Sequence, residues 1–445
     1  MNRRNFLFKA GQGLGGLALA SNFSGLRVAN AAETDYKALV CIFLYGGNDG
    51  NHLLIPTDPE GYAQYSAVRT VASGLNIPLT SWLTLQGSDT SGRSFGVHPS
   101  LPGVKTLFDS GRLAFVANVG TLARPLTRSD YLAGAKIPEN LFSHLDQQNE
   151  WQSALSSAQS QPTGWGGRLS DASSTLNAGS SFPMLVDLSG TSLFSRSARS
   201  QVVSGPSTLQ GFGSSASAQA RYAAYRSLQS LDESGTLAHA LNTLTSQGEN
   251  ASALLGQALT NPVTLQTVFP SGSLASQLKT VSSLIAARAS LGVNRQIFFC
   301  SLGGFDTHTG QLSAQASLLS SVDQALSAFH DATLELGVES QVTTFTHSDF
   351  GRTFQPTAGA GSDHGWGSHH LVMGGAVLGG HIYGRYPSLV LGGADDADQE
   401  GRWIPGVSVP EFVYPMVRWF GAVNPLEVLP TLGSFNQART DLGYL

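Results

Sequence analysis

Four short segments of this 445-residue sequence place carboxylates and imidazoles directly after apolar runs: Gly46-Gly47-Asn48-Asp49-Gly50-Asn51-His52, Gly303-Gly304-Phe305-Asp306-Thr307-His308, Thr346-His347-Ser348-Asp349-Phe350-Gly351-Arg352, and Gly361-Ser362-Asp363-His364-Gly365-Trp366-Gly367-Ser368-His369-His370. Oxygen and nitrogen donors that converge on one point suit a divalent cation. Asp306 and His308 are separated by one residue, which in extended backbone puts both side chains on one side. The glycines before Asp49 let its loop turn the carboxylate inward, although Asn48-Asp49-Gly50 also reads as ordinary turn chemistry. Asp306 could instead cap the helix that follows. Asp349 is a further carboxylate after an apolar run, and Arg352 three residues on is either an anion binder or its ion-pair partner. The last segment holds three of the eleven histidines, His364, His369 and His370, within seven residues. Packing of imidazoles on Trp366 is the alternative to metal ligation there.

A fifth segment, Leu141-Phe142-Ser143-His144-Leu145-Asp146-Gln147-Gln148-Asn149-Glu150-Trp151, supplies a hydroxyl. Ser143 is either a nucleophile activated by a bound ion or the N-cap of a helix, with Asp146 three residues later. Ser143 does not sit in a G-x-S-x-G elbow, which argues against a Ser-His-Asp hydrolase built on it. No Rossmann or Walker glycine loop follows any of the apolar runs of the expected mature chain, which removes dinucleotide and nucleoside triphosphate binding.

The elements that would position these groups are short apolar runs at residues 36–45, 112–120, 183–187, 296–304 and 341–346. Continuous rather than alternating apolarity predicts strands buried on both faces, as in a parallel sheet covered by helices. A helical pattern over 312–336 joins two of them as a βαβ unit. The expected fold class is therefore α/β, a doubly wound, mostly parallel sheet with flanking helices. In such sheets ligands bind beyond the carboxyl ends of the strands, which is where the polar segments fall. Residues 153–290, rich in Ser, Ala, Gln and Thr, are expected to form a helical insertion or cap.

Composition narrows the function classes. Hydrophobic residues make up 41% and charged residues only 12%, so the chain is globular with a surface rich in uncharged polar groups. The formal charge is −5, falling to about −9 without the four cations of residues 1–31, which argues against nucleic acid as a partner. Two cysteines, Cys41 and Cys300, exclude a disulfide framework and read as small core residues. The N-terminal Arg3-Arg4 pair, the short Gly/Leu/Ala run and Ala29-Asn30-Ala31 resemble a twin-arginine export signal covering residues 1–31. The run is too short to span a bilayer. The expected mature chain is residues 32–445, periplasmic or secreted, with no membrane span.

Taken together, the twin-arginine leader, LYGGNDGNH, FSHLDQQNEWQ, GGFDTH, THSDFGRT, GSDHGWGSHH and MGGAVLGGHIYG resemble a large bacterial family of exported proteins of unknown function within the alkaline phosphatase-like superfamily of phosphatases and sulfatases. That resemblance implies a metal site of one or two ions, Zn²⁺ or Mn²⁺, and a phosphate or sulfate ester as substrate, borne on a small molecule or a glycan. Carried over by position, it implies Asp49, Asp306 and His308 as metal ligands, Ser143 as nucleophile, and Arg352 as holder of nonbridging oxygens. Two registers complete the set. In one, Asp363 is the ligand with His369 or His370 as the late histidine; in the other, preferred on strand placement, Asp349 is the ligand and His364 the late histidine. The alternative function is a non-catalytic exported metalloprotein that acts as a binding or assembly module.

Overall fold

The computed structural model describes residues 35–89, 91–156, 162–205, 213–231, 237–260, 264–435 and 441–445. The expected export signal lies outside them. Twelve strands are present among the described residues: β1 (Lys37–Leu44), β2 (Leu54–Pro56), β3 (Leu83–Ser88), β4 (Ser94–Val97), β5 (Leu113–Gly120), β6 (Leu185–Asp187), β7 (Val202–Ser204), β8 (Arg295–Leu302), β9 (Val342–Ser348), β10 (Ser368–Met373), β11 (Ile382–Tyr383) and β12 (Val407–Ser408). β2, β4 and β3 form a small antiparallel sheet. The main sheet runs β11-β5-β10-β9-β1-β8-β6-β7, with β12 also paired to β5.

Every pairing in the main sheet is parallel except the two made by β10, which runs against both β5 and β9. This is the mixed α/β architecture with a mostly parallel sheet. From Ala38 to Phe43 every residue of β1 is fully buried. Leu39, Cys41 and Phe43 join the core that contains Trp165, Phe412 and Met416. Strand side chains alternate in direction, so Ala38, Val40 and Ile42 are buried on the opposite face. Continuous apolarity in the sequence thus corresponds to cover on both faces.

Cys41 and Cys300 are both free and buried. They lie on neighbouring strands at offset positions, Cys41 opposite Phe299 and Ile42 opposite Cys300. Phe299 shares the face of Cys41, so Cys300 points to the other side of the sheet, and alternation explains why no bridge forms.

The segment 153–290 contains helices Trp165–Ala172, Ala216–Gln229, Leu237–Thr260 and Ser273–Ala286, and it also donates β6 and β7 to the main sheet. Helix Gln311–Glu335 connects β8 to β9, which flank β1 on its two sides. β8, β1 and β9 are parallel neighbours, so the loops after them emerge along one edge. Because β10 is antiparallel, its first residue lies at that same edge, and the 361–367 loop that leads into it joins the other three.

Candidate metal centre

Four chain segments meet at this edge. The loop after β8 carries Asp306 and His308, the loop before β10 carries Asp363 and His364, the turn after β9 carries Asp349 and Arg352, and the first turn of helix His144–Ser153 carries His144. Two glycines let the loops close. Gly46 has φ +114°, and a Cβ there would lie 2.3 Å from the Asp306 amide nitrogen. A Cβ on Gly361 would lie 1.9 Å from the His308 carbonyl oxygen. Neither position accepts a side chain without displacing the backbone that carries the cluster.

Three donor atoms form a tight triangle. Asp306 Oδ1 is 2.9 Å from His308 Nε2 and 3.4 Å from His364 Nε2. The two imidazole nitrogens are 3.1 Å apart. On its other side, Asp306 Oδ2 is 3.5 Å from His144 Nε2. Single donor atoms from His144, Asp306 and His364, and likewise from His308, Asp363 and His364, lie within 4.8 Å of one another. Asp306 and His308 are 45% and 46% exposed, so the cluster opens to solvent.

Partners outside the triangle fix which nitrogen faces it. His364 Nδ1 is 2.7 Å from the Phe142 carbonyl oxygen. A carbonyl only accepts, so Nδ1–H donates and Nε2 turns its lone pair into the cluster. His144 Nδ1 donates to Asp349 Oδ2 at 2.7 Å, leaving Nε2 toward Asp306. Gln148, one helical turn after His144 and on the same face, donates to the same Asp349 oxygen at 2.8 Å. The Phe350 ring stacks on His364, with ring centroids 4.6 Å apart, and lies 4.9 Å from His144. His308 Nε2 then faces two acceptors, Asp306 Oδ1 and His364 Nε2. Only a proton or a cation among these three atoms makes the arrangement attractive.

The electrostatics are uneven. Partial burial works to raise the Asp306 pKa, but the Arg352 hydrogen bond and charge, with His308 and His144 alongside, outweigh it and hold the carboxyl below its usual range. Burial lowers the His364 pKa, keeping the ring neutral as a metal ligand must be. The Asp349 hydrogen bond raises that of His144 against the opposing effect of burial.

The residues singled out from sequence fall into three groups. Asp306, His308 and His364 come together, with Asp363 at their margin: its Oδ1 accepts from the His364 amide at 2.8 Å and lies 3.9 Å from His308 Nδ1, and its Oδ2 is 3.3 Å from Arg402. Asp349 and Arg352 stand one layer behind. Asp349 is fully buried and accepts from the Gly46 amide, His144 and Gln148. Arg352 is equally buried; it donates to Asp306 Oδ1 at 2.8 Å, to the Gly46 carbonyl at 3.1 Å and to both the hydroxyl and carbonyl of Ser362. Asp49 and His369 are set apart from the triangle. Asp49 caps helix Gly50–Leu53, accepts two hydrogen bonds from Arg69, and is also held by Asn51 and Gln311. His369 is buried, accepts from the Asn118 amide at 3.0 Å and stacks on Tyr386.

Ser143 caps helix His144–Ser153, with Asp146 N at 3.5 Å from its Oγ. The Gly361–His370 segment, read from sequence as a loop, becomes strand from Ser368 onward. Sequence reasoning missed His144, whose only signal was its place beside Ser143 in a segment rich in polar groups.

What fold and site define is a mostly parallel α/β protein with a solvent-open Asp/His cluster at its strand ends. The chain belongs to the family described as "Protein of unknown function (DUF1501)", whose model matches residues 36–399. No curated protein matches it. Among solved structures it is similar at 10% identity to Ps i-CgsB in complex with k-i-k-neocarrahexaose, covering 88% of this chain and 74% of that one with a TM-score of 0.35. It is also similar to the PsFucS1 sulfatase from Pseudoalteromonas sp., with 10% identity, 91% and 71% coverage and a TM-score of 0.35. A third is the C-terminal periplasmic domain of EcEptC from Escherichia coli in complex with Zn, with 10% identity, 76% and 73% coverage and a TM-score of 0.30. No helix among the described residues is long and apolar enough to cross a membrane.

Proposed function

We propose that this chain is an exported, metal-dependent hydrolase of phosphate or sulfate esters, acting on a small molecule or a glycan. The observation that carries the reading is the Asp306/His308/His364 triangle. Donors held roughly 2.0–2.1 Å from a tetrahedral ion sit about 3.3 Å from one another, and the three edges are 2.9, 3.1 and 3.4 Å. The donor set, imidazole-rich with a carboxylate, favours Zn²⁺ or Mn²⁺ over Mg²⁺. A divalent ion in such a place supplies Lewis-acid polarisation of an ester oxygen and lowers the pKa of a nucleophile. Asp306, His308, His364 and His144 would hold it. Asp349 orients His144, and Arg352 orients Asp306. Ser143, whose Oγ accepts only the Asp146 amide at 3.5 Å among the described residues and keeps a lone pair and its O–H, is the candidate nucleophile. The proposed twin-arginine leader at residues 1–31 places the mature protein in the periplasm or beyond it.

The test is turnover of chromogenic phosphate and sulfate mono- and diesters by the purified mature protein with added Zn²⁺ or Mn²⁺. Activity is expected, and Asp306→Ala is expected to remove it. A fall of the same size in Ser143→Ala assigns the nucleophile. One observation favours a second reading, a non-catalytic metalloprotein serving as a binding or assembly module. Arg352 is 1% exposed and each of its three nitrogens donates to a protein acceptor, so it offers no clamp to an anionic substrate. An occupied metal site with no turnover of any ester class supports that second reading and ends the first.

A further inference from the structure

We infer that the cluster takes a single four-coordinate ion of the zinc type, bound by His144, Asp306, His308 and His364, and that fixed protein charges stand where a second ion would need its carboxylates. This deepens the metal-dependent reading of the same site. A two-ion centre needs a second set of acidic donors roughly 3.5–4 Å from the first ion, free to bind metal. The acidic candidates are Asp49, Asp349 and Asp363; the first two are fully buried, and Asp363, though half-exposed, has Oδ1 on the His364 amide at 2.8 Å and Oδ2 3.3 Å from the Arg402 guanidinium.

Asp49 already faces a cation: both of its oxygens accept from Arg69, itself fully buried, and Asn51 and Gln311 take what remains. The arginine supplies there the positive charge that an ion would bring. Asp349 has one oxygen on the Gly46 amide and the other on His144 and Gln148. It orients a ligand and has no oxygen directed to an ion of its own. A hydrogen-bond chain ties the two regions together. Arg352 donates to the Ser362 hydroxyl, Ser362 to the Gln311 carbonyl oxygen, and the Gln311 amide to Asp49, while Arg352 also donates to Asp306. Every donor in the chain has one direction, so the scaffold around the triangle is set before any ion arrives.

Three imidazoles and one carboxylate suit a borderline ion in tetrahedral geometry, whereas hard ions take six or more oxygens. Each of His144, His364 and Asp306 is held by an outer partner of the kind that tunes metal sites, a carboxylate, a backbone carbonyl and an arginine.

The test is a titration of metal-stripped full-length mature protein with Zn²⁺ by calorimetry, with elemental analysis after dialysis, and with Co²⁺ by visible absorption. The expected result is one ion per chain, intense Co²⁺ bands of four-coordinate geometry, and no competition from Mg²⁺. His144→Ala is expected to weaken binding at least tenfold and to replace those bands with weak ones of higher coordination. Asp349→Asn, acting through His144, is expected to weaken it about 10- to 100-fold. Variants are compared only after circular dichroism shows the wild-type spectrum, and the wild-type stoichiometry is decisive without any variant. Two ions per chain, six-coordinate Co²⁺, or Zn²⁺ binding unaffected by Asp306→Asn combined with His308→Gln overturns the inference. One ion with no ester turnover overturns the hydrolase reading alone, and two ions with turnover overturns the inference alone.

Discussion

At the scale of single residues, the buried ion pair beneath the cluster separates charges that hold structure from charges available to bind. Asp49 and Arg69 have no exposed surface. Burial works to raise the Asp49 pKa, but the Arg69 charge and hydrogen bonds, with His52 and Asn51 alongside, together outweigh it and hold the carboxyl below its usual range. Removing one partner strands the other, so Arg69→Ala is expected to cost about 3–5 kcal/mol of stability in urea denaturation; a loss under about 1 kcal/mol would contradict the pairing. Glu150 offers a pH test away from the cluster. Burial pushes its pKa up to about 8, while in the unfolded chain it returns to about 4.3. Between these values the unfolded chain has released a proton that the folded chain keeps, so stability falls as pH rises from about 4 through about 8 and then levels. Glu150→Gln is expected to remove that fall, making the variant the more stable protein at pH 9. Equal pH dependence in both proteins would refute the assignment. At this scale the sequence displayed Asp306, His308 and His364 because glycine pairs and histidine density mark them. It concealed Asp49's partner, since Arg69 lies outside every segment that looked chemical, and it drew attention to the Ser143 hydroxyl instead of the adjacent His144 ring.

At the scale of elements, the cluster depends on how closely the strand-end loops approach. Gly46→Ala would force a Cβ to within 2.3 Å of the Asp306 amide at a positive φ. The expected cost is about 1–3 kcal/mol, accompanied by at least a tenfold loss of Zn²⁺ affinity in a protein that still folds. Wild-type affinity in this variant would show that the Asp306 loop does not need that approach. The apolar runs forecast β1, β5, β8 and β9, because burial on both faces makes most of their positions apolar, although β9 also buries Thr343, Thr344, Thr346 and His347. β10 was hidden for the opposite reason. It opens Ser368-His369-His370, and these polar side chains are buried, His369 on Tyr386 and His370 against Trp151. Its antiparallel direction, which delivers His364 to the shared edge, is a property of pairing with β5 and β9 and has no local signature.

At the scale of the whole molecule, an ion that binds the folded chain and not the unfolded one adds stability by mass action, about 2.7 kcal/mol at a hundredfold excess over Kd. Zn²⁺ is therefore expected to raise the Tm of the wild type, and Asp306→Asn to abolish the rise; an equal rise in both would place the ion elsewhere. The most direct measurement is the anomalous difference map of a zinc-soaked crystal of the mature protein. One strong peak at bonding distance from Asp306, His308, His364 and His144, with none beside Asp49, is the result expected. A zinc peak bound by Asp49 or Asp349, or no peak among the three histidines and Asp306, would contradict the account.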